Sequence, residues 1–198
     1  MKVRASIAAA VLAVTLLIPA NAFAYVTWLG FTRQSNLAST LTMTWFVPNG
    51  SSGGGPGYYA SQSWRAGSGV SRDACWIGHG WLPVGTYDLW GHWDNYNGVI
   101  AGRVFYLQNK PCWNGTWRTE LFVHSEETAA QGQYCPTAGD DPYCWEGPSD
   151  YYSNGCIKVS RAGFPSDLRL VHDGWHARSG DHRHGYFTID DWLTVRDG

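Results

Sequence analysis

The sequence predicts an all-β domain with one or two short helices. Short segments rich in β-branched and aromatic residues recur along the chain, and helical periodicity is scarce. The 198 residues also include 24 Gly and 12 Trp, a composition typical of turn-rich β-domains. This pattern alone leaves a β-sandwich and a barrel-like arrangement open.

The first 24 residues have the pattern of a cleavable export signal, with an uncleaved anchor as the alternative. Lys2 and Arg4 precede an apolar run over residues 5–18, and Ala22 and Ala24 supply the small residues that a signal peptidase reads. The run is shorter than the ~20 apolar residues that span a bilayer. We therefore expect a secreted or extracytoplasmic protein (cell wall or periplasm) without stable membrane insertion.

A soft boundary follows the first predicted strand, which covers residues 41–47. Residues 48–57 contain three consecutive glycines and predict a flexible loop. We accordingly assign residues 25–60 to an N-terminal extension with a Gly-rich loop. Residues 61–198 then form the main domain.

The main domain contains further strand patterns and one helical one. Residues 116–124 form the clearest strand, because positions 117, 119, 121 and 123 share one face. Residues 136–148 predict a loop, and the spacing of Phe164, Leu168 and Val171 predicts one short helix over 164–171. The other strand-like segments are 82–90, 102–107, 157–159, 186–189 and 192–195.

Charge argues against a nucleic-acid partner. The formal net charge is −2 and the chain has no basic run. Nucleic-acid binding depends on Lys and Arg set against phosphates.

The five cysteines, at positions 75, 112, 135, 144 and 156, cannot all pair within one chain. Cysteines of exported proteins tend to form disulfides. At least one is therefore free or bridges to another chain, and a leftover cysteine in an exported protein is a candidate reactive thiol.

Two segments carry the candidate chemistry. Residues 121–125 read Leu-Phe-Val-His-Ser, so that a strand ends at His124, and a Ser-Asn-Gly turn places Cys156 just before another strand. A thiol becomes a strong nucleophile as the thiolate, and a nearby histidine can take its proton. Gly155 allows close approach of the backbone, whose amides around the turn could face an oxyanion.

These motifs, FVHS and SNGCIKVS, resemble the catalytic signature of the L,D-transpeptidases, the YkuD-type catalytic domain. In that family a histidine at a strand end precedes a Ser-His-Gly-Cys turn, and LPVGTYDL is similar to its Pro-x-Gly-x-Tyr segment. The resemblance covers residues 65–175. It implies a β-sandwich catalytic domain over residues 61–198 that transfers acyl groups on peptidoglycan stem peptides without a cofactor.

The resemblance also implies roles for individual residues. Cys156 would be the nucleophile and His124 its base, with Ser125 orienting the imidazole. Gly155 and Cys156 would supply oxyanion-hole amides, and Ser153 matches the first residue of the motif.

Two features depart from the family pattern. Asn154 stands where the family has its second histidine, and an amide carries no proton at neutral pH. The separation of 32 residues between His124 and Cys156 is also longer than is typical. We expect an altered rate or substrate preference from the first departure.

The longer segment between His124 and Cys156 contains Cys135 and Cys144. A disulfide between them would close a compact flap beside the site implied by the resemblance. Cys75–Cys112 is then the other natural pair, and Cys156 stays free. Four cysteines allow three pairings, so this connectivity is a hypothesis.

Several functions remain open at this point. An amine acceptor would make the protein a transpeptidase, and water would make it an L,D-carboxypeptidase. A papain-like peptidase is disfavoured, because its nucleophile precedes its histidine in the chain. The Trp content favours a non-catalytic wall- or glycan-binding module as a further alternative, and a toxin-like effector could use the same domain.

A histidine-rich segment near the end raises the question of a metal site. His172 and His176 would share one helix face, but Gly174 and Gly180 weaken a helix there and no glutamate follows the first histidine. We therefore predict a solvated polar loop and no metal site. The segment also holds His182 and His184, and His79 and His92 are assigned no role.

Overall fold

The structure, a computed structural model, describes residues 27–35, 37–48, 57–136, 141, 143–161, 166–179, 185–186 and 192–198. The signal peptide predicted over residues 1–24 lies outside these ranges. So do most of the Gly-rich loop, His182 and His184.

Eleven strands and one helix occur in this part of the chain. They are β1 (Thr27–Arg33), β2 (Ser39–Val47), β3 (Tyr58–Gly67), β4 (Gly85–Asn97), β5 (Ala101–Leu107), β6 (Lys110–Pro111), β7 (Trp117–Arg118), β8 (Phe122–His124), β9 (Ile157–Val159), α1 (Asp167–Ser179), β10 (Gly185–Tyr186) and β11 (Trp192–Asp197).

Eight of the strands close a barrel. Their order is β4-β11-β1-β2-β3-β9-β8-β5, and β5 pairs back onto β4. The β1–β11 and β8–β9 pairs are parallel, and the other pairs in the ring are antiparallel. The all-β class with a helix is confirmed. The closed ring is a barrel, however, and not the sandwich that the resemblance implies.

The segment assigned to an N-terminal extension contributes two strands to this barrel. β1 lies between β2 and β11, and β2 pairs with β3 from Ser39↔Ala66 to Val47↔Tyr58. β1 and β2 therefore belong to the hydrogen-bonded ring of the main domain.

The barrel interior forms the main core, and α1 packs into it. Alternate strand residues such as Leu29, Phe31 and Met43 are fully buried there, together with Val171 and Trp175 of the helix. The helix predicted over 164–171 in fact runs over Asp167–Ser179, through Gly174. Burial of its apolar side chains outweighs the ~1 kcal/mol that a glycine costs inside a helix.

The strand predicted over residues 116–124 is broken in two. β7 ends at Arg118, β8 begins at Phe122, and Glu120 between them has a left-handed φ of 55°. This interruption lies next to Cys156, whose thiol donates a hydrogen bond to the Glu120 carbonyl.

Candidate active site around Cys156

Cys156 and His124 lie on the same face of two adjacent strands. β8 and β9 run parallel, with His124 opposite Lys158 and Val123 opposite Ile157. Val123 and Ile157 point into the barrel core, so their neighbours Cys156 and His124 point outward. Cys156 packs there in a small outer cluster whose other members are Val104, Phe122, Trp93, Tyr96, Ile100 and Tyr106.

Cys156 is the free cysteine of the chain. Disulfides join Cys75 to Cys112 and Cys135 to Cys144, the pairing suggested from the sequence. The Cys156 side chain is buried, with 8% of the residue exposed. A substrate carbonyl could reach the thiol only after the surrounding side chains move.

The turn before Cys156 is organised by the Ser153 hydroxyl. Ser153 Oγ accepts hydrogen bonds from the amides of Gly155, at 3.2 Å, and Gly69, at 3.0 Å, and donates to the carbonyl of Cys156 at 2.7 Å. Ser68 Oγ donates to the Gly155 carbonyl at 3.3 Å. The Gly155 amide, expected at an oxyanion hole, is thus occupied by Ser153, whereas the side chain of Asn154 is exposed.

Arg118 is a buried residue of the site that the sequence reasoning did not single out. Its guanidinium donates to four backbone carbonyls, those of Ala74, Gly80, Trp81 and Asn154. The guanidinium therefore ties the loop before β4 to the turn that carries Cys156. The break at Glu120 ends the strand alternation, so no local sequence signal pointed to Arg118.

The thiol is neutral at physiological pH. Burial raises the pKa of Cys156 to about 11, opposed by a hydrogen bond from the Phe122 amide and by the positive charge of Arg118. Cys156 Sγ donates to the carbonyl of Glu120 at 3.5 Å. The left-handed backbone at Glu120 therefore supplies the acceptor that the thiol uses in this structure.

The imidazole of His124 is also neutral. Burial lowers its pKa to about 4, and the nearby Lys158 acts in the same direction, while a hydrogen bond to the Ser125 carbonyl opposes the shift. His124 Nδ1 lies 3.0 Å from Ser125 O. A proton on Nδ1, donated to that carbonyl, leaves the Nε2 lone pair available as a base.

A buried ionic network lies beside His124. The ammonium of Lys158 pairs with Asp150 Oδ1 at 2.5 Å and with a carboxylate oxygen of Glu126. Burial, together with a hydrogen bond to Asp150, raises the pKa of Glu126 to about 9. For Asp150 burial acts upward too, but hydrogen bonds with Glu126 and Lys158 outweigh it and lower the pKa. The Lys158 charge is therefore balanced mainly by Asp150.

Glu126, Asp150 and Glu146 lie close enough to be considered as metal ligands. Two of these carboxyl groups already contact the Lys158 ammonium, which repels a cation. The set therefore suits an ion pair and not a metal ion.

In comparisons with known proteins, no family model, no curated protein and no solved structure matches the chain. Within the described ranges, no helix is both long enough and apolar enough to cross a membrane.

Proposed function

We propose that the protein is an extracytoplasmic cysteine acyltransferase of the L,D-transpeptidase type that acts on peptidoglycan stem peptides. One observation carries the proposal: a free thiol and an imidazole lie on the same face of neighbouring strands, and the Ser125 carbonyl orients that imidazole. The turn motif at Cys156 supplies the substrate class by resemblance. The two disulfides suit an oxidising compartment outside the cytoplasm.

In the first step Cys156 Sγ gives its proton to His124 Nε2 while the sulfur attacks the substrate. The sulfur attacks the carbonyl of the third, L-configured residue of a donor stem, forming a tetrahedral intermediate. The imidazolium then gives the proton to the departing amine of the D-residue at position four, which leaves a thioester. An amine of a neighbouring stem breaks the thioester and forms a cross-link, whereas water would make the same site an L,D-carboxypeptidase.

The resting pKa values place a condition on the first step. The pKa of the thiol, about 11, lies far above that of the imidazole, about 4, so the neutral pair is the stable one. Proton transfer therefore accompanies the attack on the carbonyl instead of preceding it. The positive charge of Arg118 favours the thiolate and so stabilises the negative charge that develops on the sulfur.

The direct test combines trapping with turnover. The mature protein is incubated with a carbapenem, a β-lactam that acylates the nucleophilic cysteine of this enzyme type, and its intact mass is recorded. We expect one adduct, absent from Cys156→Ala and strongly reduced in His124→Gln. A Cys156→Ala protein that still consumed tetrapeptide stems would refute the proposal.

A second function, binding of glycan without catalysis, is favoured by exposed tryptophans. Trp76, Trp113 and Trp117 are 53%, 84% and 61% exposed. The Cys75–Cys112 disulfide joins the segments that carry Trp76 and Trp113, and exposed apolar side chains brought together in this way can mark a binding surface.

Sedimentation with purified peptidoglycan separates the two functions. For a binding module, Cys156→Ala should sediment like the parent protein, and the double variant Trp113→Ala/Trp117→Ala should stay in solution. Turnover that depends on Cys156 would instead establish the enzyme.

A further inference from the structure

Three histidines from two elements converge on the inner side of β4. His92 lies in β4, and His172 and His176 lie in α1. One ring nitrogen from each lies within 4.8 Å of the others. The ring centroids of His92 and His176 are 4.6 Å apart, and those of His172 and His176 are 4.8 Å apart.

A β-bulge turns His92 toward this point. Leu89 pairs with Leu107, but Gly91 pairs with Tyr106 and His92 with Phe105, so Trp90 is an extra residue in β4. Without the extra residue, the alternation that buries Tyr87 and Leu89 would place His92 on the outer face. Bulges often re-aim a side chain beside a functional site.

The helix supplies the other two imidazoles with a spacing that suits chelation. Residues four apart lie on the same face of a helix, one turn from each other. His172 is 1% exposed and His92 is fully buried. Phe105 and Trp175 pack around the group, with the Phe105 and His172 ring centroids 5.1 Å apart.

Asp94 completes the arrangement as a partner of His172. Its Oδ1 lies 3.0 Å from His172 Nδ1. The two atoms lack hydrogen-bond geometry in this structure, but a small rotation of the ring would let the carboxylate accept from Nδ1 and direct the other nitrogen toward a metal. This partner is typical of metal-binding histidines.

We propose that His92, His172 and His176 bind one divalent transition-metal ion, with Zn²⁺ as the best match. Imidazole nitrogen suits zinc, copper and nickel, whereas magnesium and calcium require oxygen ligands. Three protein ligands leave one tetrahedral position for water. At Zn–N distances of about 2.0–2.1 Å, tetrahedral nitrogens lie ~3.4 Å apart, so the cluster contracts slightly on binding.

The metal site is independent of the proposed cysteine chemistry. His92 and Phe105 face α1, whereas the adjacent pair Trp93 and Val104 faces the outer cluster around Cys156. The sheet therefore separates the two sites. The metal reaches its ligands from the side of His176 and Asp94, which are only partly buried.

The test uses the full mature chain after removal of metal with a chelator. Co²⁺ is titrated while its visible absorption is recorded, and Zn²⁺ is titrated in a calorimeter. We expect one equivalent to bind, with the intense visible bands of tetrahedral Co²⁺, and Zn²⁺ to displace it. His172→Gln and His176→Gln should each weaken binding at least 100-fold, and Asp94→Asn 10- to 100-fold.

His79→Gln is the matched control, because His79 is exposed and outside the cluster. It should bind as the parent protein does. Circular dichroism of each variant without metal establishes whether it folds, and if His172→Gln does not fold, His176→Gln and Asp94→Asn decide. Absence of stoichiometric binding, or binding that His176→Gln leaves unchanged, overturns the proposal.

Discussion

Gly155 lies directly against the guanidinium of Arg118. A Cβ at position 155 would overlap Nη2 of that arginine and lie 2.8 Å from the carbonyl oxygen of Gly80, and the glycine has a φ of +111°. The turn before Cys156 and the buried arginine are therefore packed with no room for a side chain between them.

Gly155→Ala should lower the free energy of unfolding by about 3 kcal/mol or more, because overpacking adds to backbone strain. Gly78→Ala is the matched control: Gly78 also has a positive φ, +75°, but its Cβ would meet nothing within 4 Å. The control should lose only about 1 kcal/mol. Urea denaturation of both variants measures the difference, and equal losses would contradict the packing argument.

Alkylation of Cys156 should be slow at neutral pH, and the midpoint of its pH dependence should lie at high pH. With a thiol pKa of about 11 instead of 9, the thiolate fraction at pH 8 is about 100-fold lower. The rate with iodoacetamide, followed by intact mass, should rise until about pH 11. Arg118→Met should raise that midpoint, since the arginine charge lowers the pKa of the thiol. A midpoint at or below pH 9 in the parent protein would show that burial does not control the thiol.

Stability should fall as pH rises from about 6.5 to 9. The folded pKa of Glu126, about 9, lies above its ordinary value of 4.5, so in this window unfolding releases a proton that the folded state retains. His124, whose pKa is lowered from 6.5 to about 4, acts in the opposite direction, but only between those two values.

Glu126→Gln tests this assignment, because a neutral amide at position 126 has no proton to lose. The variant should have a nearly flat melting temperature between pH 6.5 and 9, where the parent protein declines. A parallel decline in both proteins would assign the effect to another group.

Local sequence patterns predicted several strands, but they missed a strand that is held mainly by pairing with its neighbour. The strand over residues 157–159 is confirmed, and residues 41–47 lie in β2, because alternation and β-branched content are local properties. β3 was not predicted, since its centre, residues 61–63, is polar and exposed and its pairing with β2 holds it.

The Cys156 site and the histidine cluster differ in how much of each could be predicted from the sequence. The turn at Cys156 is contiguous in the chain, so its motif was visible. His92 and α1 are brought together by the closed barrel and by the bulge at Trp90, and neither follows from local sequence. The predicted absence of a metal site rested in part on Gly174 weakening a helix, yet the helix runs through that position.

Glu120 has a strained, left-handed backbone, and its carbonyl accepts the hydrogen bond from the Cys156 thiol. Its φ is 55° and its side chain is exposed, so Glu120→Gly should remove strain and raise the free energy of unfolding by up to about 1 kcal/mol. Glu120→Val should lose about 1–2 kcal/mol, because β-branched residues tolerate this conformation poorly.

Thr119→Gly is the matched control for Glu120→Gly, since Thr119 is exposed in the same segment and its φ is not positive. It should lose up to about 1 kcal/mol through backbone entropy alone. Glu120→Gly should also lower the alkylation midpoint of Cys156, because the Glu120 carboxylate raises the pKa of the thiol. Denaturation and alkylation measured on the same variants test both effects. A loss of stability in Glu120→Gly equal to that in Thr119→Gly would show that position 120 stores no strain.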